Sequence, residues 1–427
     1  MQTAEPQVEA SVESAQIEPQ PQVTMRQKFS NGPFNGLSPV HRIVVEHDNH
    51  EPRGSGEDAK PLWVFYGPDN GLVGALDGLG GAGGELITLP DGIERTGAWV
   101  ASRHTRAVVH EVYTTMIEET RSQRSSGAPA DVYDYDQVNG MPASAIRSSF
   151  DFTVKLREAI KADLSEVAAR THAGGSGLLR SKMIRTLPTT LALGWYDLNE
   201  HKYSAIWAGD SRVYCLHPEL GLQQATTDDL KTPADAMENL TADGLMSNCV
   251  SASADFVLHE RRLELPQRCV LLAATDGCFG YVRTPLHFEY LLLATMQQAR
   301  SWEEWEERLA DEIVQITEDD STLSAAVIGW PDFAACRGAY VSRYTWCGQR
   351  VNAYDSQIAK VGQLEAELAK AREELVATRR QLWEEYRKTY ELLGAAPTYD
   401  VPNQLGGYPS TKPRSASEHT GDDDDKS

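Results

Sequence analysis

The feature that most constrains this chain is a series of short apolar runs, several of which begin or end on an acidic residue beside a turn. They are Leu62 to Tyr66, Leu72 to Leu76, Thr189 to Trp195, Tyr203 to Ala208, Arg212 to Leu216, Leu222 to Thr226, Phe256 to Leu263, Val270 to Ala274 and Thr322 to Gly329, with a brief Ile43-Val44-Val45 ahead of them. Runs this short, bounded by Gly, Pro, Asn and Asp, read as strands. Tight connections such as Pro68-Asp69-Asn70-Gly71, Asp197 to Glu200 and Pro218 to Gly221 suit antiparallel neighbours. Helical stretches are expected from Gly97 to about Ser122, from about Phe150 to Thr171 and from about Leu286 to Ile316. The polar segment near residues 123–149 reads as a surface insertion. Strands interrupted by a few long helices predict an α+β fold, in which two antiparallel sheets pack together between flanking helices.

The flanks differ in composition. Residues 1–40 are rich in Gln, Glu, Pro and Ser and cannot bury enough apolar area to offset the entropy of ordering, so they are expected to be disordered. The same holds for residues 394–427, whose closing Asp-Asp-Asp-Asp-Lys-Ser also resembles an enterokinase recognition site and carries no functional weight. A folded domain is expected over 41–331, a linker over 332–354 and a helical extension over 355–393. In that extension Val361, Leu364, Leu368, Ala371, Leu375 and Leu382 share the a and d positions of one heptad frame, with Thr378 and Glu385 weakening the seam. The frame fits either a dimeric coiled coil or partner docking, or a single amphipathic helix lying on its own domain.

Net charge narrows the partners. With 40 Lys+Arg against 62 Asp+Glu the chain carries −22, and its long-range field repels phosphate backbones and anionic lipid. Neither nucleic acid nor a membrane is expected as a partner. No signal-peptide pattern opens the chain and no run approaches 18 apolar residues. The six cysteines contain no Cys-x-x-Cys pair, which suits a reducing cytoplasm. His41, His47 and His50 are irregularly spaced and read as surface residues beside an edge strand.

Four acidic motifs sit where a strand meets a loop: Glu57-Asp58, Asp77-Gly78, Asp276-Gly277 and Asp319-Asp320. Any one of them alone is ordinary turn chemistry. If all four converge, their mutual repulsion calls for compensating cations, and hard divalent ions such as Mg²⁺ or Mn²⁺ suit carboxylate oxygens.

Five segments in this order, Arg53-Gly-Ser-Gly-Glu57-Asp58, Asp77-Gly-Leu-Gly-Gly81, Ala208-Gly-Asp210-Ser-Arg212, Ala274-Thr-Asp276-Gly277 and Asp319-Asp320-Ser-Thr322, resemble the metal-dependent serine/threonine protein phosphatases of type 2C, in particular their bacterial branch. The resemblance runs from about residue 42 to 331. It implies a two-metal centre of Mn²⁺ or Mg²⁺ between two packed sheets, with Asp77 bridging both ions, Asp58 serving one, Asp276 and Asp319 the other, and the Gly78 carbonyl as a further ligand. Asp210 is implied at a third metal where one binds, or is structural. Glu57 is implied to orient water, and Arg53 to hold the substrate phosphate with its planar fork. The implied reaction is hydrolysis of phosphoserine or phosphothreonine by a water that bridges the metals, in opposition to a Ser/Thr kinase. Departures are Leu79 where some members carry a histidine, Gly56 where an asparagine is usual, and Thr227-Asp228-Asp229 in place of a Thr-x-Asp-His-like element. Two other classes remain open: a pseudophosphatase or scaffold that binds a phosphoprotein, and a hydrolase of small phosphorylated metabolites. The sequence names neither substrate, pathway nor oligomeric state, and does not choose between the two metals.

Overall fold

Continuous burial on both faces explains why the strands read as unbroken apolar runs. In the computed structural model, which describes residues 40–50, 52–65, 69–89, 92–125, 143–172, 186–231, 235–240, 245–252 and 255–394, two five-stranded antiparallel sheets pack face to face, with helices on both outer sides. The chain divides into two compact units, Met1–Tyr354 and Asp355–Ser427. The tails expected over 1–40 and 394–427 fall, but for Val40 and Gly394, outside the described residues, as does most of the expected insertion.

In chain order the first unit contains β1 (His41–His47), β2 (Leu62–Phe65), β3 (Asn70–Ala75), α1 (Gly80–Gly83), β4 (Leu86–Thr88), β5 (Glu94–Thr96), α2 (Gly97–Ser125), α3 (Ala143–His172), β6 (Leu191–Asp197), β7 (Lys202–Ala208), β8 (Arg212–His217), β9 (Gly221–Gln224), β10 (His259–Glu264), β11 (Cys269–Ala274), α4 (Asp276–Phe279), α5 (Pro285–Gln298), α6 (Trp302–Ile316), β12 (Ser321–Ile328) and α7 (Phe333–Ala339). One sheet has the order β1-β12-β11-β8-β9, the other β10-β7-β6-β3-β2, and β4 and β5 form a separate hairpin.

Side chains alternate between two cores, as the two-residue period of a strand requires. On β11, Cys269, Leu271 and Ala273 face the opposite sheet and meet Val73, Ala192 and Ala205, while Val270, Leu272 and Ala274 face a cluster containing Phe288, Leu292, Trp305 and Leu309 of α5 and α6. The second sheet does the same toward α2 and α3, where Leu191, Leu193 and Ile206 pack with Val109, Tyr113, Phe152 and Leu156. The inter-sheet layer is rich in alanine, so the sheets approach closely.

The stretch expected as one helix from Leu286 to Ile316 is two. Ser301 is extended and its hydroxyl accepts the Glu304 N–H, which caps a new helix after Gln298. The expected linker 332–354 is α7 followed by the first turns of α8 (Val341–Tyr390), with Phe333, Cys336, Tyr340 and Cys347 buried against the sheet. Two links fix it: Tyr340 donates to Leu216 O at 2.7 Å, and Arg343 makes a two-pronged bond to the buried Glu289, at 2.5 and 3.0 Å.

The second unit is the rest of α8 and the residues beyond it. From Ser356 to Gly394 every residue is exposed, Leu364, Leu368 and Leu375 included. No helix among the described residues is long and apolar enough to cross a membrane.

Candidate metal centre

The four acidic motifs and the Gly209–Arg212 turn arrive at one end of the sandwich because antiparallel pairing brings strand starts beside strand ends. Asp77 follows β3 and Asp58 precedes β2, its hairpin partner, where Leu62 pairs with Gly74. On the other sheet Ala274, the last residue of β11, pairs with Leu323 of β12 and Arg212 of β8, which sets Asp276, Asp319 and Asp210 around one corner.

Asp58 and Asp77 lie within hydrogen-bonding reach of each other. Burial pushes the Asp58 carboxyl up to about 8, with the charges of Asp276 and Asp320 adding to it. Asp77 lies well above the usual carboxylate range, through burial first and then the charges of Asp58, Asp276 and Asp210. Asp210 is pushed up to about 8 and Asp276 to about 6, each chiefly by burial. Asp210 Oδ1 is buried and accepts no hydrogen bond among the described residues. A row of partly buried carboxylates at strand ends, one with an orphaned buried oxygen, is the donor set that hard divalent cations take.

The backbone under these groups is firmly held. The Thr190 hydroxyl accepts the Asp77 N–H at 3.0 Å and lies 2.6 Å from the Ser211 hydroxyl, which ties Asp77 to the Asp210 turn. Thr189 Oγ1 and the Thr190 N–H both donate to Asp77 O, at 2.7 Å each. Thr275 donates to Asp58 Oδ2 at 2.8 Å. Gly209 has φ +102°, and a Cβ there would meet Thr190 at 2.9 Å, so this turn accepts only glycine without strain.

Arg212 and the Thr227-Asp228-Asp229 segment form a second brace. Arg212 gives Nε to Asp228 Oδ1 at 2.9 Å and Nη2 to Oδ2 at 2.6 Å, both side chains almost wholly buried. Asp229 accepts the Gly209 N–H at 3.0 Å. The departure noted at 227–229 thus holds both ends of the Gly209–Arg212 turn.

Glu57 lies beside this cluster, its Oε1 accepting from Thr96 at 2.7 Å and its carboxyl raised by burial. A Cβ at residue 80 would stand 1.9 Å from Glu57 Oε2, so Gly80 leaves the space that this carboxylate fills. Gly78 is buried, bridged to Thr189. Arg53 is exposed on the turn Pro52–Gly54, and its guanidinium makes no hydrogen bond or ion pair among the described residues. Asp319 is also exposed, accepts the Asp320 N–H at 2.8 Å and acts on Asp276 and Glu57 through its charge.

Several residues of this region were not singled out from sequence. Asp320 is buried and accepts from the backbone N–H of Asn49 at 2.8 Å and of Glu57 at 2.5 Å, and lies 3.1 Å from His50 Nδ1. Asp48, His50 and Asp320 bring one ligand atom each within 4.8 Å of the others. His50, read as a surface residue, is exposed but engaged in this cluster. Asp48 accepts the N–H groups of His50 and Gly54, so Asp48 and Asp320 together clamp the loop that carries Arg53 and Glu57. Arg103 donates to Gly56 O at 2.9 Å and to Glu57 O at 3.2 Å and stacks on Trp99. The doubled acid at 319–320 was the available signal for the clamp; the Arg103 contact, made from a helix face, had none.

No protein-family model matches the sequence, and no curated protein matches it. Solved structures similar to it are bacterial serine/threonine phosphatases. Stp1 from Staphylococcus aureus is 15% identical, with 70% of this chain and 98% of that one covered at a TM-score of 0.45. PstP/Ppp from Mycobacterium tuberculosis is 17% identical, with 68% and 99% covered at 0.42. The S. agalactiae serine/threonine phosphatase is 12% identical, with 68% and 100% covered at 0.43.

Proposed function

We propose that the chain is a Mn²⁺- or Mg²⁺-dependent protein-serine/threonine phosphatase that acts on phosphoproteins made by a Ser/Thr kinase. The observation that carries this reading is the convergence of Asp58, Asp77, Asp210 and Asp276, partly buried at one end of the sandwich with carboxyls raised by desolvation and by one another. Asp77 would serve two ions, Asp58 one of them, and Asp276 and Asp319 the other, with the Gly78 carbonyl as a further ligand and Asp210 available to a third. Bound there, such ions supply Lewis acidity toward phosphoryl oxygens and lower the pKa of water.

The chain's own groups account for the remaining requirements. Glu57, held by Thr96, would orient the attacking water and accept its proton at Oε2. Arg53 has its guanidinium free to take two oxygens of a phosphate dianion, and the clamp of Asp48 and Asp320 would hold its loop in register with Glu57. With Leu79 beside the site in place of an ionisable group, the departing serine or threonine oxygen would take its proton from solvent. The six cysteines are free and buried. Cys278, near Asp58, is held far above its usual range by burial, so a thiolate nucleophile does not compete with this mechanism.

The test is hydrolysis of p-nitrophenyl phosphate and of a phosphothreonine peptide. Activity should vanish in excess chelator, return with Mn²⁺ and be lost in Asp77→Asn. Turnover that persists in chelator would overturn the metal reading. A preference for small phosphorylated metabolites over the peptide would move the substrate class, and a chain that binds Mn²⁺ and phosphopeptide without turnover would be a scaffold.

A further inference from the structure

Residues 356–394 are exposed throughout, and the apolar side chains among them are too regular for a helix meant to face water on all sides. Val361, Leu364, Leu368, Leu375 and Leu382 are each 50–69% exposed and, with Ala371, recur at heptad a and d positions. We propose that this segment pairs with the same segment of a second copy as a parallel, in-register two-stranded coiled coil, running from Val361 to Leu382.

The occupant and its direction follow from the flanking charges. In a parallel pair each g residue faces the e residue five positions later on the partner helix, and these contacts select partner and orientation. With Val361 at a, the g and e pairs are Lys360 with Glu365, Glu367 with Arg372, and Glu374 with Arg379. All three are of opposite sign, and a two-fold pair makes each twice. An antiparallel pair instead sets g against g and e against e. Centred on Leu368 and Ala371 it opposes Glu367 to Glu374; centred one layer later it opposes Arg372 to itself and Glu374 to itself. Only the parallel register satisfies every charged flank. Beyond Leu382 the large apolar groups leave the seam, since Trp383 and Tyr390 fall at b and Tyr386 at e, which ends the pairing there.

The experiment uses the full chain. Sedimentation equilibrium should give twice 47.1 kDa, and Leu368→Glu with Leu375→Glu should return the single-chain mass without moving the melting of the sandwich. Glu367→Arg with Glu374→Arg should weaken dimerisation at least tenfold, and adding Arg372→Glu and Arg379→Glu should restore it. A single-chain mass at all concentrations, or charge reversal without effect, would overturn the proposal. Direction is read by oxidative crosslinking, because the native cysteines are buried. Val361→Cys chains should crosslink to each other, and so should Leu382→Cys chains; crosslinks found only in a mixture of the two would mean an antiparallel pair and would equally overturn it.

Discussion

The sandwich end and the extension helix handle charge in opposite ways. Between Ser356 and Glu391 there are seven acidic and seven basic residues, exposed and interleaved, with pairs such as Lys370 and Glu374 at 4.0 Å and Arg387 and Glu391 at 2.7 Å one turn apart. Residues 41–354 carry 44 acidic against 28 basic, and the acids that matter most lie partly buried together, with none of Asp58, Asp77, Asp210 and Asp276 in an ion pair with a basic side chain among the described residues. A balanced, solvated surface needs nothing further, whereas a buried excess of one sign has to be neutralised by protons or by cations. The balanced extension adds nothing to the chain's −22, whereas residues 41–354 carry −16 of it (28 − 44), part of that as a cluster with a chemical demand.

The comparison can be broken most sharply at Asp77. Asp77→Asn should lower metal-dependent turnover by about a thousandfold, ~4 kcal/mol of transition-state stabilisation at ~1.4 kcal/mol per tenfold, while raising the melting temperature of the metal-free protein, because one member of the repelling cluster is gone. A lower melting temperature together with full turnover would mean that the carboxylates are structural.

Arg212 is the next largest. Its loss in Arg212→Ala leaves Asp228 buried without its counter-charge, and urea unfolding should report a cost of about 3–5 kcal/mol. An effect below ~1 kcal/mol would mean that the turn carrying Asp210 does not depend on this brace.

A pH series separates the two regions without mutation. Asp58 and Asp210 in the metal-free fold titrate near 8, against about 4 in an unfolded chain, so the folded state holds protons that the unfolded state releases. Their contribution to stability is complete below about pH 4 and is lost as the pH rises toward 8. Metal-free melting temperatures should fall across that window, and saturating Mn²⁺ should flatten the slope. The helicity of the extension, with its balanced pairs, should hardly change over the same range.

The smallest expected effect lies on the extension itself. Arg387→Ala removes one exposed, solvent-screened pair one turn apart, so it should lower local helicity only slightly and leave turnover unchanged. Helicity followed by circular dichroism checks the first statement and a phosphatase assay the second.

How far the sequence could be read follows the same division. The strands were legible because burial on both faces leaves little but apolar residues between turns, and Asp58, Asp77 and Asp276 stood out as acids at the ends of such runs. The break between α5 and α6 was not legible, since Gln298-Ala-Arg-Ser has ordinary helical propensity and only the extended backbone of Ser301 reveals the cap. The segment from Phe333 to Val351 was misjudged as a linker although its apolar residues, Phe333, Cys336, Tyr340, Tyr344, Cys347 and Val351, recur at helical spacing. The clamp of Asp48 and Asp320 joins positions 272 residues apart, so the doubled acid at 319–320 marked one half of it and no local pattern pointed to Asp48.

The burial of all six cysteines has a consequence for endurance. Peroxide and disulfide reagents act on thiols that are ionised and within reach, and here the neighbouring Cys215 thiol and then burial raise Cys269, while burial raises Cys278, Cys336 and Cys347, far from ionisation at neutral pH. Peroxide or a disulfide reagent applied to the folded chain should therefore leave these four thiols unmodified, and unfolding should expose them to it.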